Sequence, residues 1–178
     1  MKIKRKVKFT CIMLSFAIFF ISCLASAKTK KTYKIPLSGK YQNYVIKMCE
    51  RKHIDPKLVF AMMKVESDYN SKCLSDHGQS QGIMQVQPRC HKERIAKLHA
   101  YDMMNKYHNV RVAVDFLSYL YKKYGDTSTV LMAYNGGEGY MRRLHRKGIY
   151  YTNYVGDVQS VRSSMKKVRH KKRRKYGK

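Results

Sequence analysis

Among the eleven acidic residues of the chain, Glu66 stands where a carboxylate is least expected. It follows Met62 by four positions, Met63 by three and Val59 by seven. It therefore projects from or beside the apolar stripe that Leu58, Val59, Met62, Met63 and Val65 draw through a 3.6-residue period. A carboxyl group buried without a cation keeps its proton to higher pH, and a proton-holding Glu in a cleft is what a general acid requires. Asp68, two positions on, points to the polar side. The plain alternative places Glu66 at the margin of the stripe, paired with Lys64 or Lys72 and without chemistry.

Local signals outline the elements that must position this residue. Tyr44, Val45 and Met48 recur at helical spacing, so a domain starts near Tyr41. Asp55-Pro56 supplies an N-cap followed by Pro at the first helical position, and the helix bearing Glu66 runs from there to near Tyr69-Asn70. Residues 71 to 90, rich in Ser, Gly and Gln and closed by Pro88, read as a structured loop with a short strand pair around Ile83 to Val86. Residues 91 to 99 are helical. Asn109 reads as the cap of a longer helix in which Val110, Val114, Leu117 and Tyr121 repeat, and Gly125 stops it. A short helix through Val130 to Tyr134 breaks at Gly136-Gly137, and another covers Tyr140 to Arg146. A last one carries Tyr154, Val155, Val158, Val161 and Met165 and ends near Val168. No alternation of strands with helices occurs, so the fold class is all-α.

The chain's 178 residues are one domain with appendages, and 44% hydrophobic residues are enough for a small core. The net charge of +27 is unevenly placed, because every acid lies between Glu50 and Asp157. Residues 1 to 27 have the three parts of a secretory signal: a basic start, an apolar run from Cys11 to Leu24, and Ala25-Ser26-Ala27 as the cleavage pattern. An uncleaved N-terminal membrane anchor is the alternative, and either way the domain faces outward, in the cell envelope. Residues 28 to 40 read as a basic linker. Residues 161 to 178, with ten Lys plus Arg, read as the end of the last helix and a basic tail. Two of the five cysteines leave with the signal; Cys73 and Cys90 either close the loop between them or stay free like Cys49. No Cys/His spacing supports zinc, and no metal or other cofactor is expected.

In order along the chain stand Glu66-Ser67, the run from Gly82 to Pro88, Asn109-Val110, Ala133-Tyr134-Asn135-Gly136-Gly137 and Tyr154-Val155. Their order and spacing resemble the catalytic domain of soluble lytic transglycosylases, over residues 41 to 160. The resemblance implies a lysozyme-like helical domain with a loop or short β-hairpin at a cleft for peptidoglycan glycan strands. It implies Glu66 as the single acid/base, Ser67 and Tyr134 holding Glu66 or the sugar, Gln85 and Asn135 bonding the substrate, and Met84 as an apolar cleft wall. The bland alternatives are Ser67 on an exposed helix face, Tyr134 and Met84 in the core, and Gln85 and Asn135 as loop-stabilising amides. Departures from the family pattern, including Ala113, Phe116, Gly78, Ser80 and Cys90, touch mainly the 71 to 90 loop.

With one well-placed carboxylate, the implied reaction is cleavage between N-acetylmuramic acid and N-acetylglucosamine with closure of a 1,6-anhydro ring. A muramidase using Asp76 as second carboxylate is the near alternative. A non-catalytic basic protein binding wall or nucleic acid is the distant one. Expected partners are glycan strands, anionic wall polymers or a membrane surface through the tail, and a cell-envelope-spanning apparatus. Nucleic acid would bind only adventitiously. A monomer is expected.

Overall fold

The structure, a computed structural model, describes residues 32–168. Its helices are α1 (Gly39–Arg51), α2 (Pro56–Ser67), α3 (Lys92–Lys97), α4 (Lys106–Tyr124), α5 (Thr127–Arg146) and α6 (Asn153–Ser164). Between α2 and α3 lie β1 (Leu74–Ser75), β2 (Ser80–Gln81) and a 3-10 turn (Pro88–Cys90). The all-α reading with a short hairpin therefore holds. Among the described residues no helix is long and apolar enough to cross a membrane. The expected signal at 1 to 27 and the tail from 169 onward lie outside the described residues.

Helix α2 is the axis of the core. The six consecutive residues Leu58 to Met63 are all buried, and its main packing partner is α6. Each such large apolar side chain contributes about 1.5 to 3 kcal/mol on burial. The helix starts as expected: the Asp55 side chain accepts from the Lys57 N–H at 2.9 Å, with Pro56 in the first turn. It stops at Asp68, which takes a left-handed conformation (φ 50°).

Three local expectations need correction. The cap of α4 is Asn105, whose side chain accepts from the Tyr107 N–H at 2.9 Å; Asn109 lies inside the helix and is fully buried. Both are Asn at the head of an apolar run, four apart on one helix face, so sequence spacing cannot rank them. The strand pair is β1 with β2, in the register Leu74 to Gln81 and Ser75 to Ser80, and not at 83 to 86. The left-handed residues Asp76, His77 and Gly78 turn the hairpin, whereas Gln81 and Val86 share only an isolated bridge. The break expected at Gly136-Gly137 holds, since two helical segments, together α5, meet in a kink at Gly137 (φ 79°, ψ 156°).

The third correction joins the ends of the domain. Helix α6 ends at Ser164 instead of near Val168, and the residues after it run extended beside the segment read as linker. Lys34 N–H donates to Lys166 O at 3.0 Å and Val168 N–H to Thr32 O at 2.8 Å. Tyr33 is buried against Phe60, with ring centroids 5.4 Å apart, and the Gln42 side chain accepts from the Tyr33 N–H at 2.8 Å. Residues 32 to 38 are thus part of the folded domain, and α1 starts at Gly39. Lys34 and Pro36, set between Tyr33, Ile35 and Leu37, hid their period-two pattern, the signature of an extended segment with one buried face. Cys49, Cys73 and Cys90 are free thiols, so the Cys73 to Cys90 loop closure is not formed.

Candidate active site

A cleft of about 500 Å³ opens between the hairpin and the Ala133 to Gly137 stretch of α5, with Glu66 on its wall. The last turn of α2 brings Glu66 there, and its environment decides its chemistry. Neither Lys64 nor Lys72 neutralises it. Lys64 pairs with Asp68, and among the described residues Glu66 forms no ion pair. Burial pushes its carboxyl from the ordinary 4.5 up to about 7, opposed by a hydrogen bond from Tyr154 and reinforced by the negative charge of Asp76. The Tyr154 hydroxyl donates to Glu66 Oε1 at 2.5 Å. Burial also lifts the Tyr154 phenol well above its usual value, with the Glu66 charge adding to it, so the group stays a neutral donor.

Of the six residues expected at the site, three besides Glu66 line the cleft: Gln85, Tyr134 and Asn135. Asn135 is exposed, with no hydrogen bond to protein among the described residues, and its amide faces substrate space. Tyr134 does not bond Glu66. Its hydroxyl donates to Met84 O at 2.8 Å, and its ring fixes the wall beside the carboxyl. Gln85, at φ 46°, uses its amide on its own loop: Nε2 donates to Gly82 O at 2.8 Å and Cys73 O at 3.1 Å, and Oε1 accepts from Ser75 Oγ at 2.5 Å. The loop-stabilising role is therefore the one its geometry displays.

Ser67 and Met84 are not cleft residues. Ser67 is buried, its hydroxyl 2.9 Å from Ile83 O and 3.2 Å from Met63 O, with one proton to share between them. It ties α2 to the loop and touches neither Glu66 nor the cleft. The Met84 side chain is fully buried, because residue 84 turns inward where Gln85 takes its left-handed kink; Val86 supplies the apolar wall instead. Met84 contributes its backbone, with its C=O held by Tyr134 and its N–H by Asn109.

Asn109 clamps this loop. Its Oδ1 accepts from Met84 N–H at 2.9 Å, while Nδ2 donates to Gln81 O at 2.7 Å and Met103 O at 3.0 Å. Gly82, at φ 74°, lies so close that a Cβ there would stand 2.3 Å from Met103 O and 2.5 Å from Asn109 Nδ2.

Three groups beyond the six expected site residues bear on Glu66 or its cleft. Tyr154 looked like one more member of the apolar stripe of α6, and only its place in the Tyr154-Val155 pair set it apart. Asp76, noted as an outside candidate for a second carboxylate, lines the same cleft, accepts from Ser80 Oγ at 2.5 Å and acts on Glu66 through its charge. His91 also lines it, with burial and the Arg94 charge lowering its pKa to about 4. Its Nδ1 lies 3.0 Å from Arg94 Nη1. Because a guanidinium only donates, Nδ1 is the acceptor, and the neutral ring carries its proton on Nε2.

The arrangement holds a carboxylic acid with a pKa of about 7 in a cleft of about 500 Å³, with an amide, a neutral imidazole and an aromatic wall at Phe116. Comparison with known proteins bears on the family and the fold. The family model described as the transglycosylase SLT domain matches residues 43–149. Among solved structures the chain is similar to an inactive mutant of the lytic transglycosylase Slt from Pseudomonas aeruginosa, at 20% identity and a TM-score of 0.57 over 72% of this chain. It is also similar to the 70 kDa soluble lytic transglycosylase of Escherichia coli, at 21% identity and a TM-score of 0.54 over 69% of this chain. The chain spans only 23% and 22% of those two proteins, so the likeness bears on the fold of one domain. Tyr154, which bonds Glu66, lies beyond the family-model match.

Proposed function

Since the chain belongs to the transglycosylase SLT domain family, we propose that it cleaves the glycan strands of peptidoglycan as a lytic transglycosylase with Glu66 as the acid/base. The observation that carries this reading is the Glu66 carboxyl, kept protonated to about pH 7 beside the neutral Tyr154 donor in a glycan-sized cleft.

In this reading protonated Glu66 gives its proton to the oxygen leaving C1 of N-acetylmuramic acid, and the C1–O bond breaks. The muramoyl N-acetyl oxygen steadies the positive C1. Glu66, now a carboxylate, takes the proton of the sugar's own 6-hydroxyl as O6 bonds to C1, so the 1,6-anhydro ring closes and the acid is restored. No water is consumed. The Asn135 amide and the His91 Nε2–H are the groups available to hold substrate oxygens.

The position of Asp76 in the cleft favours one competing reading, a muramidase in which Asp76 assists water. Mass spectrometry of digested peptidoglycan separates the two. Muropeptides ending in 1,6-anhydro-N-acetylmuramic acid, lighter by one water than muramidase products, are expected. Dominant products reducible by borohydride would instead make the enzyme hydrolytic, with Asp76 the next residue to replace.

Tyr154→Phe gives a test of the acid itself. The Tyr154 bond favours the ionised form, so its loss moves the Glu66 pKa upward from about 7. A general acid works while protonated, hence the alkaline fall of kcat/KM, near pH 7 in the wild type, should move to higher pH by roughly one unit. An unmoved alkaline limb would show that some other group sets it. Secretion through residues 1 to 27, or anchoring there, and attachment of the basic tail to anionic wall polymers or a membrane surface belong to the same proposal, since each would bring the cleft to an insoluble extracytoplasmic substrate.

A further inference from the structure

A second groove, of about 380 Å³, lies between α1 and α4. Tyr44 and Met48 contribute apolar surface to it, and Lys47, Arg51 and Arg111 face it with Lys52 and Asp115. Asp115 is already neutralised, with Lys52 Nζ and Arg94 Nε each 2.9 Å from its oxygens. Lys47, Arg51 and Arg111 form no ion pair among the described residues, which leaves three uncompensated positive charges around one apolar surface. Arg111 donates from Nη1 to Leu98 O at 2.9 Å, whereas its Nε is buried and, among the described residues, has no hydrogen-bond partner. A buried donor without an acceptor is unfavourable, and the Arg111 guanidinium lines the groove with N–H groups beyond the one given to Leu98 O. One side chain, Arg94, links the walls of the groove to those of the cleft that holds Glu66. Arg94, which holds Asp115, also bonds His91 and lies 5.0 Å over the Phe116 ring, and both of those rings line the cleft.

We propose that this groove receives the acidic peptide stem borne by N-acetylmuramic acid, with a stem carboxylate meeting Arg111 between Lys47 and Arg51 and the aliphatic part lying on Tyr44 and Met48. This rests on the peptidoglycan reading above. Charge complementarity selects the occupant: a second copy of a chain carrying +27 would be repelled, and the stem is the acidic, partly aliphatic group that a strand in the cleft carries with it.

The test uses the full chain and the dipeptide N-acetyl-L-alanyl-D-glutamate, with binding followed by calorimetry or amide chemical shifts at low salt. Arg111→Gln should weaken binding at least tenfold, and Arg111→Lys should weaken it less. Lys47→Gln with Arg51→Gln, at two exposed positions that leave the core intact, should give a comparable loss and lower the preference for stem-bearing over peptide-free strands several-fold. Equal binding by the wild type and this double variant would overturn the proposal, as would equal binding of the uncharged N-acetyl-L-alanyl-D-glutamine amide, in which both carboxylates are amides. Because binding is read without turnover, the two readings fail separately. Cleavage to anhydro products without Arg111-dependent stem binding removes only the groove, while Arg111-dependent binding in a chain that cleaves no glycan removes only the catalytic reading.

Discussion

Glu66→Gln should lower glycan cleavage by about 100 to 10,000-fold while making the protein more stable above neutral pH. Gln keeps the shape and still accepts from the Tyr154 hydroxyl, but it has no proton to give. The stability change follows from the same burial that makes Glu66 an acid. The folded-state pKa is about 7 against an ordinary 4.5, so between those values the folded protein holds a proton that the unfolded chain has released. Stability contributed by this group is complete below about pH 4.5 and is lost as pH rises through about 7. Above that the folded wild type carries an ionised buried carboxylate, at a cost of about 3 kcal/mol. Denaturant titrations at pH 4 and pH 8 should therefore show near-equal stabilities at the lower pH and a gain of about 2 to 3 kcal/mol for Glu66→Gln at the higher one. A variant with more than about a tenth of wild-type turnover would remove Glu66 from the role of acid. Equal stabilities at pH 8 would mean that Glu66 is not desolvated as its surroundings indicate.

Asn109→Ala should cost about 3 to 5 kcal/mol of stability and most of the activity, although Asn109 does not line the cleft. Three hydrogen bonds are lost together: those to Gln81 O and Met103 O, and the one that satisfies the buried Met84 N–H. The groups left behind lie under the loop, away from water, so the penalty approaches that of unmade buried bonds instead of the smaller net value of exchange with solvent. Activity should fall with it because Gln85 and Val86 lose the anchor that aims them at the cleft. Asn109→Asp should not rescue the protein. It keeps the acceptor for Met84 but sets a carboxylate oxygen against two carbonyls. A urea midpoint unchanged in Asn109→Ala would show that the loop is held by its other contacts, chiefly Ser67 and Tyr134.

Both predictions concern residues already visible in the sequence; Glu66 lies on the cleft wall beside the apolar stripe, whereas Asn109 is buried inside α4 and does not cap it, and the contrast is physical. The sequence by itself determined what depends on neighbours within a turn or two. The period of Leu58 to Val65, the Asp55-Pro56 start, the Gly125 stop and the break at Gly137 are such features. So is the anomaly of Glu66, since a carboxylate on an apolar stripe is a local fact.

What only the tertiary structure decided are the partners across long sequence separation. Tyr154 reaches Glu66 across 88 positions and Tyr134 reaches Met84 across 50. Helical periodicity reports which face of a helix is buried and says nothing about which side chain waits on the other side. Asn109 shows the same limit: as a helix-start Asn it has one local use, and packing against the loop gives it another. The extended segment at 32 to 38 was hidden for a further reason, because its pairing with residues 166 to 168 exists only once the two ends of the domain meet. The acid was thus written in the sequence, and its pKa, its donor and the walls of its cleft were set when the helices packed.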